Sequence, residues 1–145
     1  MTEMKKQIIC INWGTKYGPP YINRLYGMCA RNISGDFTLT CFTDNREGIR
    51  PEVICQDLPP SNISMPQSKG KWPKSRLWNK TLEGVDGPVL FLDLDLVITG
   101  NLDGFFEYGD PDYVILARNP TTPFEKLLAP IRRGLLTNTR SNSGL

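Results

Sequence analysis

Apolar residues crowd positions 7–13, where Ile8, Ile9, Cys10, Ile11 and Trp13 are interrupted only by Asn12. A run apolar on both faces predicts a strand covered on both sides in a parallel sheet. Gly14 and Gly18 break it, and Pro19-Pro20 are placed to open a helix, where a missing N–H costs nothing. Ile22, Leu25, Tyr26, Cys29 and Ile33 then recur at spacings of three and four, the stripe of one helix face, which Ser34-Gly35 ends. Residues 37–43 are β-branched and aromatic and predict a second strand, closed by the turn residues Asp44-Asn45. Residues 52–56 predict a short third strand, and the Pro, Ser, Asn and Gly of 59–70 a loop. A helix is expected from about Pro73, with Leu77, Trp78 and Leu82 on one side, ending between Gly84 and Gly87. Residues 89–92 are the most apolar stretch and run straight into Asp93-Leu94-Asp95. After Gly100, Leu102, Phe105 and Phe106 suit a short helix, capped by Asp103. A strand at 113–117, a helix at 124–128 and a polar loop at 137–143 complete the pattern.

Strands alternating with helices from the first residues onward predict an α/β domain with a mostly parallel sheet. In such sheets ligands bind beyond the carboxyl ends of the strands. Asn12-Trp13-Gly14, Thr43-Asp44 and Asp93-Leu94-Asp95 all stand at those ends.

The length of 145 residues suits one domain. Seventeen Lys and Arg against fifteen Asp and Glu leave a net charge of +2, too balanced for a general nucleic-acid binder. No apolar run reaches the ~18–20 residues of a membrane span. No signal-peptide pattern opens the sequence, so a reducing cytoplasmic setting is expected. The chain has no histidine, which excludes Ser-His-Asp triads, imidazole bases and His-ligated zinc. Cys10, Cys29, Cys41 and Cys55 form no C-x-x-C pair and read as core thiols. Chemistry is left to carboxylates, Lys, Arg, Tyr and backbone.

Asp93 and Asp95 follow directly on apolar residues, where a carboxylate costs several kcal/mol unless paired or bound to a cation. In extended chain they would face opposite ways, so both reach one ion only across a local bend. Their oxygens suit Mg²⁺ or Mn²⁺, completed by water and substrate phosphates. The alternative is a strand end entering solvent with both carboxylates hydrated.

The stretch from Lys74-Ser-Arg-Leu-Trp78 through Asp93-Leu94-Asp95 to Asn101-Leu-Asp-Gly-Phe-Phe106 resembles the nucleotide-diphospho-sugar glycosyltransferases of the GT-A fold, and is closest to the glycogenin-like family eight. That family carries a lysine on the helix before the strand, then D-x-D, then an N-[IL]-D-x-[LF]-F segment. Asn12-Trp13-Gly14-Thr15-Lys16-Tyr17 loosely occupies the place of its uracil-binding turn, and Asn142-Ser143-Gly144 that of its Asn-Ser-Gly segment. The resemblance implies a Rossmann-like, GT-A-type nucleotide-binding domain over 1–145 that takes a UDP-sugar and Mn²⁺ or Mg²⁺. It implies a hexosyltransferase that retains the anomeric configuration and acts on a saccharide, lipid or protein acceptor. Asp95 would ligate the cation and Asp93 the cation or the ribose. Lys74 would pair with a phosphate or with Asp93. Tyr17 would stack on the base, with Asn12, Trp13 and Asp44 beside the nucleoside and Asn142 and Ser143 on the sugar. The family's metal-binding His and acceptor region have no counterpart before Leu145, so the resemblance implies the donor-binding half alone. Inefficient transfer and self-association through uncovered apolar surface near Leu135 and Leu136 are expected.

Two other functions are open to the residues. A haloacid-dehalogenase-type phosphatase also runs an apolar strand into D-x-D, although Lys126 is the one lysine downstream and no adjacent acidic pair follows. The other is a non-catalytic nucleotide-sugar-binding fragment.

Overall fold

The computed structural model describes residues 5–60 and 72–108. All the described elements fall within one compact unit, Met1–Glu107. The expected 113–117 strand and 124–128 helix, most of the 59–70 loop, Asn142, Ser143, Leu135 and Leu136 lie outside the described residues.

The first apolar run forms β1 (Lys6–Asn12), and the helical stripe forms α1 (Pro19–Asn32). β2 (Phe37–Thr43), β3 (Ile54–Gln56) and β4 (Leu90–Phe91) complete one four-stranded sheet of order β3-β2-β1-β4. All three pairings are parallel. The chain builds outward from β1 to β3 and then returns to the other side of β1, so the strand order reverses between β1 and β4. A crevice for ligands opens at such a reversal, beyond the carboxyl ends of the two strands.

Side-chain alternation sorts the strand residues onto two faces. Ile8, Cys10, Leu39 and Cys41 pack with Ile22, Leu25, Met28 and Cys29 of α1. Ile9, Ile11 and Phe42 face the other way, where Trp13, Leu58, Leu77, Leu82 and Val85 partly cover them. Met28 joins the buried side of α1, while Tyr26 is half-buried and packs at 5.2 Å on the ring of Phe37.

Cys10, Cys41 and Cys55 stand in register across three strands, and all four cysteines are free thiols. The hydrogen bond to Cys41, followed by burial, raises the Cys10 pKa well above an ordinary thiol, and burial alone pushes Cys29 up to about 11. Cys10 and Cys29 stay protonated at neutral pH, and the buried thiols serve as small hydrophobes, as the sequence suggests.

Two expected elements differ. The helix from Pro73 is a 3₁₀ segment, Trp72–Trp78, and Leu82 lies beyond it in an antiparallel bridge with Val85. Closing that bridge needs Gly84 at φ 75°, with the Gln56 amide too near for a side chain. Burying Leu82 and Val85 against the sheet outweighs continuing the helix. The D-x-D strand is also shorter than expected, because β4 pairs with β1 over only two residues. Gln7 holds its approach by donating from its amide to the carbonyls of Asp86 and Pro88.

α2 (Asp103–Glu107) is not capped by Asp103. Asn101 does that work, its Oδ1 accepting the Asp103 N–H at 2.7 Å. The Asp103 carboxylate instead accepts the Ser34 N–H at 2.9 Å and the Lys6 ammonium at 3.4 Å, tying α2 to the end of α1 and the start of β1. These partners, the Ser34 N–H foremost, hold its pKa down at about 2. The folded value lies below the ordinary value near 4, so this carboxylate's stabilising effect is complete above about pH 4 and fades as pH falls through about 2. Asp103→Asn keeps an acceptor but removes the charge. Its urea midpoint is expected to fall below the parent's at pH 7, with the gap closing as pH approaches 2. A gap independent of pH would refute this account.

Candidate functional site

The carboxyl edge at β1 and β4 collects most of the candidate residues. Asn12 ends β1, is only 5% exposed, and its Oδ1 has no hydrogen-bond partner among the described residues. A buried acceptor left unpaired costs about 1–3 kcal/mol, so this atom is suited to a donor from outside the described residues. Trp13, half-buried, lies on the opposite sheet face with Ile9, Ile11 and Phe42. Gly14 then turns the chain at φ 65°, and its N–H donates to Asp44 Oδ2 at 3.1 Å. Asp44 therefore ties the end of β2 to the turn after β1. The neighbouring Asx turn is made by Asn45, whose Oδ1 accepts the Glu47 N–H at 2.9 Å.

Beyond β4 the backbone turns at Leu94–Asp95, supplying the bend the two carboxylates require. Leu94 is buried in the core beside α1 and anchors that turn. Asp93 is half-buried and Asp95 exposed. The hydroxyl of Tyr17 donates to Asp95 Oδ2 at 2.9 Å. The Tyr17 ring meets Tyr21 edge-on at 5.0 Å, and the Lys16 ammonium lies 5.0 Å from its centre. Contact with the acidic pair thus comes through the hydroxyl of Tyr17.

Lys74 reaches the same place from the 3₁₀ segment. In that helix residues three apart eclipse, so Lys74 shares a side with Leu77, which packs on the sheet. Its ammonium forms an ion pair with Asp93 Oδ1 and lies 5.8 Å from the centre of the Phe91 ring. Tyr17, Lys74, Asp93 and Asp95 are thereby joined in two donor–carboxylate pairs. Phe91 is the member that sequence reasoning misses, because its apolar character marks it only as strand. Asn142 and Ser143 lie outside the described residues.

Among the described residues, no three His, Cys, Asp or Glu side chains form a group able to hold a metal by themselves. Two carboxylates still fit the way Mg²⁺ and Mn²⁺ bind, with one or two protein oxygens and the rest from water and substrate phosphates.

The first turn of α1 offers phosphate little. Pro19 and Pro20 carry no N–H, and the Tyr21 N–H is bonded to the Gly18 carbonyl at 3.0 Å. The helix-terminus mode of phosphate binding needs free N–H groups at this place.

No family model, curated protein or solved structure matches this chain. Among the described residues, no helix is long and apolar enough to cross a membrane.

Proposed function

We propose that this chain carries the donor site of a nucleotide-sugar glycosyltransferase, built on a Rossmann-like domain of GT-A type. The observation that carries the proposal is the meeting of Tyr17 and Lys74 with Asp93 and Asp95 where the strand order reverses. The motif order of the sequence supports the same reading, and so does the donor-poor start of α1, which leaves phosphate charge to Lys74 and a cation.

Each residue then has a task. Lys74 turns its ammonium to the donor's phosphates. Asp93 and Asp95 offer oxygens to a divalent cation, with a ribose hydroxyl the alternative partner proposed for Asp93. A bound Mn²⁺ or Mg²⁺ supplies positive charge that stabilises the leaving diphosphate as the glycosidic bond breaks. Asn12 presents its unpaired oxygen to an N–H or O–H of the nucleoside, while Asp44 holds the Gly14 turn beside it. Asn142 and Ser143 are proposed for the sugar hydroxyls.

Calorimetric titration with a UDP-sugar and with UDP, each with and without Mn²⁺, tests the proposal. Binding that requires the metal is expected. Equal affinity in both conditions would remove the cation role. Assaying the products separates the other functions: nucleoside diphosphate marks a transferase or donor hydrolase, inorganic phosphate a phosphatase, and tight binding without turnover a binding fragment.

A further inference from the structure

We infer that Lys74 is a built-in counter-ion that competes with a divalent cation for Asp93 and yields when a diphosphate arrives. The inference rests on the donor-site proposal and adds to it an order of assembly. The ammonium of Lys74 occupies one side of Asp93, and the Tyr17 hydroxyl caps Asp95. Together these four groups carry one net negative charge, too little to hold Mn²⁺ firmly or to strip water from Mg²⁺, which dehydrates reluctantly. A cation approaching Asp93 would also meet the ammonium as a like charge.

Stability does not explain the pair. The side chains of Lys74 and Asp93 are 37% and 45% exposed, and ion pairs so open to water contribute little. Exposure also leaves the lysine free to swing away while Leu77 keeps its backbone against the sheet. A diphosphate would give the ammonium a new partner and bring the cation its remaining oxygen ligands. Both changes release Asp93 to the metal. Cation and diphosphate therefore favour each other's binding, and the favour is reciprocal.

The test compares the parent protein with Lys74→Gln and Lys74→Arg. Mn²⁺ alone is titrated by the loss of its free-ion paramagnetic resonance signal, and UDP and inorganic pyrophosphate by calorimetry with and without Mn²⁺. Thermal melts verify that each variant is folded. Lys74→Gln is expected to bind Mn²⁺ alone about five- to tenfold more tightly than the parent, and UDP with Mn²⁺ about tenfold more weakly, within the usual range of coupling between sites. Lys74→Arg keeps the charge and should bind Mn²⁺ alone as weakly as the parent. Unchanged or weaker Mn²⁺ binding in Lys74→Gln, or none in all three proteins, would overturn the counter-ion role whatever the nucleotide does. A gain in Mn²⁺ affinity with no UDP binding in any protein would instead overturn the nucleotide reading and leave the counter-ion standing. Pyrophosphate matching UDP would assign the release to the diphosphate; UDP alone restoring Mn²⁺ binding would refute that part of the inference.

Discussion

Replacing Asp95 with Asn is expected to weaken Mn²⁺-dependent binding of a UDP-sugar about 100-fold, the ~2.7 kcal/mol typical of losing a charged contact. Metal-free binding should stay near that of the parent. The substitution preserves size, and its amide oxygen can still accept the Tyr17 hydroxyl, so the turn anchored by Leu94 is retained. What disappears is the negative charge that a cation would meet on the exposed side of the site. Calorimetry of both proteins with and without Mn²⁺ isolates that loss. An unchanged metal-dependent affinity would show that the cation, if it binds, does not use Asp95. Transfer by an active form should fall at least in parallel, because the same charge would hold the leaving diphosphate.

Phe42→Ala carries the largest expected effect on stability, a loss of about 3–5 kcal/mol. Phe42 is fully buried and lies against Ile9 and Ile11 on the sheet face away from α1. Its removal leaves a cavity that residues of three separate segments, Trp13, Leu77 and Leu82, would have to collapse into. Set against the 5–15 kcal/mol that holds an ordinary domain together, that is about a fifth of the total or more. Urea unfolding followed by circular dichroism should show a lower midpoint with an unchanged slope. A change below about 1 kcal/mol would mean that the second face of the sheet is not close-packed. Because Leu77 rests on the same cluster, the variant should also loosen Lys74's hold on Asp93.

The opening β1-α1-β2 unit is legible in the sequence to within a residue or two. Its first strand is nearly all apolar, its second is rich in β-branched and aromatic residues, and its helix combines a clean stripe with prolines at the start. Met28 escapes the stripe because Ile22, Leu25 and Cys29 already define one face, and burial of the neighbouring position depends on what α1 lies against. The 72–82 segment shows where local pattern misleads. Leu77, Trp78 and Leu82 have helical spacing, yet Leu77 and Leu82 pack against the sheet from separate local structures, while Trp78 is 63% exposed. Asp103 follows the same logic. Its position at a helix start suggests a cap, but the Ser34 N–H lies within reach and takes the carboxylate.

Composition and local order by themselves determine the alternating α/β class, the absence of imidazole chemistry, the inert core cysteines, and the acidic pair at a strand end. They mark Asp93 and Asp95, while Tyr17 and Lys74 enter only through the family resemblance, which offers Asp93 as one of two partners for Lys74. The sequence does not say that Tyr17 meets Asp95, nor which partner Lys74 takes. Tyr17 and Asp95 are 78 positions apart and become neighbours because β4 returns to pair with β1, with Ile9 opposite Phe91. Lys74 finds Asp93 only because Leu77 docks its segment on the far face of the sheet. The burial of the Asn12 oxygen, which has no partner among the described residues, likewise exists only once the chain is folded. Periodicity reports which face of a single element seeks the core. Which elements share an edge is decided by burying both faces of one sheet at once, a long-range balance that no window of neighbouring residues contains.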